Sequence, residues 1–115
     1  MGPVAAPLLF GGSMSSATPF LLKSSVKTIA ASTAHAEATF AETERSGDDL
    51  YVFNSTAGIA FVKWGLSTAT VNAAPTDFPI PAGVARVVKV GNIDQVSVIL
   101  STGTGNVYVA KGEGV

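Results

Sequence analysis

Apolar and polar positions alternate with a period of two through the last third of the chain. In the run Gln95 to Ser101, Val96, Val98 and Leu100 fall on one side and Gln95, Ser97, Ile99 and Ser101 on the other. Two flanking runs repeat the pattern, with Val84, Val88 and Val90 against Ala85 and Lys89, and with Val107 and Val109 against Tyr108. A period of two is that of a β-strand, whose successive side chains point to opposite faces. Gly91-Asn92 and Gly103-Thr104-Gly105 separate the runs with turn residues. Val84 to Ala110 is therefore predicted to be an antiparallel meander forming the floor of a β-sandwich core.

The pattern continues upstream. Val26 to Ala31 reads as a first strand, with Val26, Thr28 and Ala30 opposite Lys27, Ile29 and Ala31. Residues 35–45 are rich in Ala and Glu, as a helix would be, but Thr39, Phe40 and Thr43 break a helical stripe. Alternation of Ala36, Ala38 and Phe40 with His35, Glu37 and Thr39 favours a strand over a short helix. Leu50 to Asn54 and Gly58 to Gly65, flanking Ser55-Thr56-Ala57, read as a hairpin. Both runs are apolar on both faces, which predicts that their outer faces are covered. Residues 67–71 are expected to form a short edge strand. Residues 77–83 are a fixed connector, because Pro79 and Pro81 impose extended geometry on Phe78 and Ile80 before a turn at Ala82-Gly83. The sum is an all-β protein: an antiparallel β-sandwich, jelly-roll-like or Ig-like, of about eight strands.

Residues 1–22 carry no charged side chain, and Pro3, Pro7, Pro19 and Gly11-Gly12 interrupt any regular element. Val4, Leu8, Leu9, Phe10, Phe20, Leu21 and Leu22 make this stretch adhesive. It is read as an extended N-terminal arm over residues 1–24, with the sandwich domain over 25–115. The arm residues, together with Tyr51, Phe53 and Trp64 on the outer strand faces, are the candidate interface. A start without basic residues and with Pro7 and Gly11-Gly12 in its apolar stretch does not fit a signal peptide. The protein is expected to be made and used in the cytoplasm.

Composition sharpens this picture. Charged residues are 13% of the 115-residue chain, against about 25% for an ordinary soluble domain. The surface therefore carries more neutral or apolar area than usual, which argues for an obligate assembly, a homodimer or homotrimer. Net charge is -1, and Lys23 and Lys27 are too few to track a phosphate backbone, so no nucleic-acid partner is expected. No apolar run reaches the roughly 20 residues of a membrane span. Without cysteine there are no disulfides or thiolate metal sites.

Candidate chemistry is sparse. His35 is the single histidine, and any Ser–His pair or His-rich metal site rests on it. Glu42 and Glu44, on one strand face, have the residue types of a glycosidase pair but end an acidic surface run at Arg45. Asp48 and Asp49 lack the further oxygens of a calcium site and suit a turn. Gly103-Thr104-Gly105 precedes a strand, where a phosphate loop needs a helix. Asn54-Ser55-Thr56 matches a glycosylation acceptor but suits a turn. Trp64, Phe61 and Tyr51 have the chemistry of a sugar-stacking platform, although at strand spacing core or interface is the simpler role. No catalytic residue, metal or cofactor is expected.

NSTAGIAFVKWG, FPIPAG and VSVILSTGTGNVYVAKGEGV resemble small virion proteins of tailed bacteriophages, whose layout residues 51–114 match. These carry an Asn at a strand end, an A-[FW]-V-x-[FW]-G strand, a P-I-P-A-G turn and a closing G-x-[LV]-Y-[VI]-x-x-G-E-G strand. The resemblance implies a non-enzymatic β-sandwich on the capsid surface of a virion, a head decoration or cement subunit contacting the major capsid protein or other virion proteins. A head-fibre base, neck or tail component, or a receptor- or glycan-binding module, is the alternative it leaves.

Overall fold

A computed structural model describes residues 20–114. The strands are β1 (Leu21–Leu22), β2 (Lys27–Ala31), β3 (Ala36–Thr39), β4 (Asp49–Asn54), β5 (Ala60–Gly65), β6 (Phe78–Ile80), β7 (Ala85–Lys89), β8 (Gln95–Leu100) and β9 (Gly105–Glu113), with one 3-10 turn at Glu42–Glu44. All pairings among the described residues are antiparallel and fall into two sheets. Sheet I runs β1-β9-β4-β7, with β2 beside β9 where β1 leaves off; sheet II runs β3-β8-β5-β6. The protein is thus all-β, two antiparallel sheets in the manner of a β-sandwich.

The pairing is nested. β2 pairs with β9, β3 with β8, β4 with β7 and β5 with β6. The chain behaves as one long two-stranded ribbon folded over itself, so successive strands alternate between the sheets on either side of the β5–β6 link.

Three expectations are corrected. The last three runs are not a meander: β7 and β9 lie in sheet I and β8 in sheet II. β4 and β5 are not a hairpin, because residues 55–59 carry the chain from one sheet to the other. Residues 67–71 form no strand; they belong to a loop over the outer face of sheet II. The physical reason is common to the first two. Alternation reports which face a side chain takes, whereas a short Gly- or Asn-containing connector serves equally for a hairpin or for an arch between sheets. The connector at residues 77–83 behaves as expected: β6 is extended, Val84 N–H donates to the Pro81 carbonyl, and Gly83 takes φ +73°, as a type II turn requires.

The faces do follow the alternation. Ile29, Ala31, Leu50, Val52, Val107 and Val109 of sheet I meet Ala60, Val62, Ile80, Val96, Val98 and Leu100 of sheet II, with Phe40 and Ile93 filling in from connectors. Ala36, Ala38 and Phe40 point inward from β3 and its end, so the strand reading of residues 35–40 holds. The remainder of that stretch turns at Glu42–Glu44, which removes Glu42 and Glu44 from a common strand face.

Asn54 closes one end of the core. It is fully buried; its Nδ2 donates to the carbonyls of Gly58 (2.8 Å) and Ile80 (2.9 Å), and its Oδ1 accepts from the Thr56 N–H and hydroxyl. One side chain thereby ties the 55–59 arch to the end of β6, with every polar atom matched. Asn54 and Thr56 of the glycosylation-like tripeptide thus form a buried structural knot.

Candidate interaction surface

The register places Tyr51 and Phe53 of β4 and Tyr108 and Ala110 of β9 on the outer face of sheet I. Phe53 and Tyr108 stack with centroids 6.2 Å apart, and Phe20 lies 6.0 Å from Tyr51. An aromatic row therefore follows the two central strands. Phe20 reaches it because residue 112 is Gly: a Cβ there would strike the Phe20 ring and the Leu21 carbonyl oxygen. Beside Phe20, a groove of about 300 Å³ is lined by Phe20, Leu22, Val26 and Tyr51. Leu22 is 51% exposed, Val26 48% and neighbouring Leu21 55%. Leu22 and Val26 thus leave apolar surface in water at one corner of sheet I, while Leu21, in register with Glu113, takes the opposite face of β1.

The candidate interface residues are distributed as follows. Phe20, Leu22, Tyr51 and Phe53 lie on or beside this face, and Leu21 lies on the opposite face of β1. Val4, Leu8, Leu9 and Phe10 lie outside the described residues. Trp64 does not belong to it: its register partner is Val96, so it points inward from sheet II, packs against the core and meets Phe78 edge-on at 5.9 Å. Val26 and Tyr108 were not among the expected interface residues, although alternation already set Val26 with Thr28 and Tyr108 opposite Val107. Trp64, Phe61 and Tyr51 make no common sugar platform. Phe61 faces out of sheet II, Trp64 inward, and Tyr51 out of sheet I. Trp64 and Phe78 instead border an open groove of about 460 Å³ with Lys63, Thr76 and Asp77.

The chain itself covers part of the outer face of sheet II, while Ile59 and Leu66 beside it stay exposed. Residues 66–77 cross it, burying Val71 and Ala73. Beneath them Ser97, fully buried, accepts the Ala73 N–H at 2.9 Å. Asp94 anchors the start of this loop, accepting the Ser67 N–H (2.6 Å) and hydroxyl (2.7 Å) and facing Arg45 at 3.4 Å. The Ser67 donors hold the Asp94 carboxyl below its ordinary 3.8 against the opposing cost of burial, with Arg45 adding to the effect.

The titratable groups are structural in their contacts. His35 Nδ1 hydrogen-bonds Glu37, and the Glu37 carboxylate also accepts from the Ser97 hydroxyl at 3.4 Å. The carboxylate thus stands between imidazole and hydroxyl, whereas in a Ser–His–Asp triad the imidazole stands between hydroxyl and carboxylate. Glu44 accepts from Lys27 (2.9 Å), Ser25 (3.0 Å) and the Ala41 N–H (3.2 Å), which lower its pKa to about 2. Asp49 is buried and paired with Lys89 at 3.1 Å. Lys111 shares the inward register of Val107 and Val109, is fully buried, and donates from Nζ to the Gly91 carbonyl at 2.8 Å. Burial pushes its pKa below 10.5, partly opposed by Asp48 and Asp49.

Among the described residues no group of three or more His, Asp or Glu side chains is placed to hold a metal ion, and no helix is long and apolar enough to cross a membrane. Compared with known proteins, the chain matches no family model, no curated sequence and no solved structure.

Proposed function

We propose that this chain is a non-enzymatic structural subunit of a bacteriophage virion. In this reading it is a decoration or cement protein that binds the capsid surface as a homo-oligomer, after synthesis in the host cytoplasm. The carrying observation is the apolar corner of sheet I exposed among the described residues, Leu22 and Val26 beside Tyr51, in a chain with few charges. Contiguous apolar surface of that kind marks an interaction site. Many weak contacts of one kind, repeated over a shell, add through avidity and need no catalytic or cofactor chemistry.

The nested pairing supports a finer reading of the fold. Eight strands, β2 to β9, paired outermost with outermost and innermost with innermost, are the winding of a jelly roll rather than an Ig-like sandwich. Jelly rolls recur in viral capsids and in lectins, which agrees with the resemblance of residues 51–114 to virion proteins without establishing function. The lectin alternative now rests on the Trp64–Phe78 groove; sugar binding lost in Trp64→Ala would favour it.

Immunogold labelling of purified particles from the source phage, with antibody to the full chain, tests the proposal. Regular labelling of heads at dozens of copies is expected. Label confined to the soluble lysate overturns it.

A further inference from the structure

We propose that the Phe20–Leu22–Val26–Tyr51 groove receives the apolar stretch Val4 to Phe10 of a second copy of this chain. The inference rests on reading this face as an assembly surface and names its occupant.

The groove's composition and position carry it. Its lining is apolar, and it lies at the point where the described chain begins, with 19 residues preceding Phe20. Those residues contain no charged side chain, and they include Val4, Leu8, Leu9 and Phe10. An uncharged apolar stretch gains by leaving water, and an apolar groove of this size gains by being filled.

Direction favours another copy over the chain's own arm. β1 runs antiparallel to β9, so its continuation toward the N-terminus leads past Glu113 and away from Leu22 and Val26. Phe20 already forms a wall of the groove. For the same chain to fill it, residues 11–19 have to reverse fully, and Pro19 disfavours a helical reversal at Thr18. Those residues extended reach about 30 Å, enough to cross to an abutting copy. A reciprocal arrangement about a two-fold axis then fills both grooves with the same contact.

The absence of native cysteine gives a clean test. Full-length Leu9→Cys and Leu22→Cys chains, mixed in equal amounts and oxidised mildly, are expected to yield the mixed dimer as the main product, since a disulfide forms only between closely approaching Cα atoms. Leu22→Asp is expected to weaken self-association at least tenfold in sedimentation, with an unchanged far-UV spectrum. Overturning results are a Leu9→Cys/Leu22→Cys double variant that closes only within one chain, or no disulfide between the two introduced thiols in either format. Failure here is separable from failure of the virion reading. A chain that does not cross-link yet labels heads loses only the occupant. A chain that cross-links but is absent from particles loses only the virion role.

Discussion

The outer faces of the two sheets meet the same problem in different ways. Both have apolar residues where a sandwich strand is normally polar. Sheet II uses its own chain: residues 66–77 lie over β5 and β8, bury Val71 and Ala73, and are pinned by Asp94 and Ser97. Sheet I has Phe20 on Tyr51, and leaves Leu22 and Val26 in water. A face covered by covalently attached chain is part of the fold. A corner left exposed among the described residues is, in the reading proposed above, where a partner docks. Equal substitutions on the two faces should therefore have opposite consequences, stability on one and association on the other.

The largest effect on folding is expected from Val71→Asp. It sets a carboxylate in a site that is 4% exposed, and a loss of about 3 kcal/mol in urea unfolding should follow. A loss under about 0.5 kcal/mol, the range of an ordinary surface change, would show that the loop only rests on sheet II.

Next comes Asp94→Ala, at about 2 kcal/mol, because it strands the Ser67 donors and Arg45. The associated pH dependence has a definite sign. The folded carboxyl titrates below the unfolded 3.8, so its contribution is complete above that pH and disappears as pH falls through the folded value. Acid unfolding of the variant should therefore be shallower than that of the native chain.

Lys111→Met tests the buried amine. Its folded pKa lies below 10.5, so the unfolded chain holds more protons between the two values and native stability rises with pH there. Replacement should flatten that alkaline rise in thermal melts taken from neutral pH up to the unfolded value. A slope equal to that of the native chain would mean the amine is solvated.

The smallest folding effect belongs to Leu22→Asp, within about 0.5 kcal/mol for an exposed site. The same change is expected to dissociate multimers.

How much of this was legible in the sequence varies with the kind of information. Face assignments were legible: Val96, Val98 and Leu100 point inward, as do Val107 and Val109, because a pleated strand enforces alternation locally. Partners were not. The arches at 55–59, 90–94 and 101–104 contain ordinary turn residues, and whether such a connector stays in one sheet depends on what the next strand meets across the core. The cover over sheet II was hidden for a similar reason. Val71 and Ala73 sit in a Ser- and Thr-rich run without period, and Ser97 looks like any wet strand position. Lys111 was findable, as a charge in register with Val107 and Val109. The bare corner of sheet I was half visible: Leu22 stood out as adhesive, whereas Val26 looked like the start of a strand.

Whether other copies of the chain fill the bare corner of sheet I can be read from mass alone. Sedimentation equilibrium of the untagged full-length chain, from about 1 to 100 µM (the range of weak to moderate affinities), makes that reading. The expected result is a mass at an integral multiple of the chain's own, falling to the single-chain mass in Leu22→Asp. A single-chain mass for the native protein at every concentration would contradict the assembly role of this face.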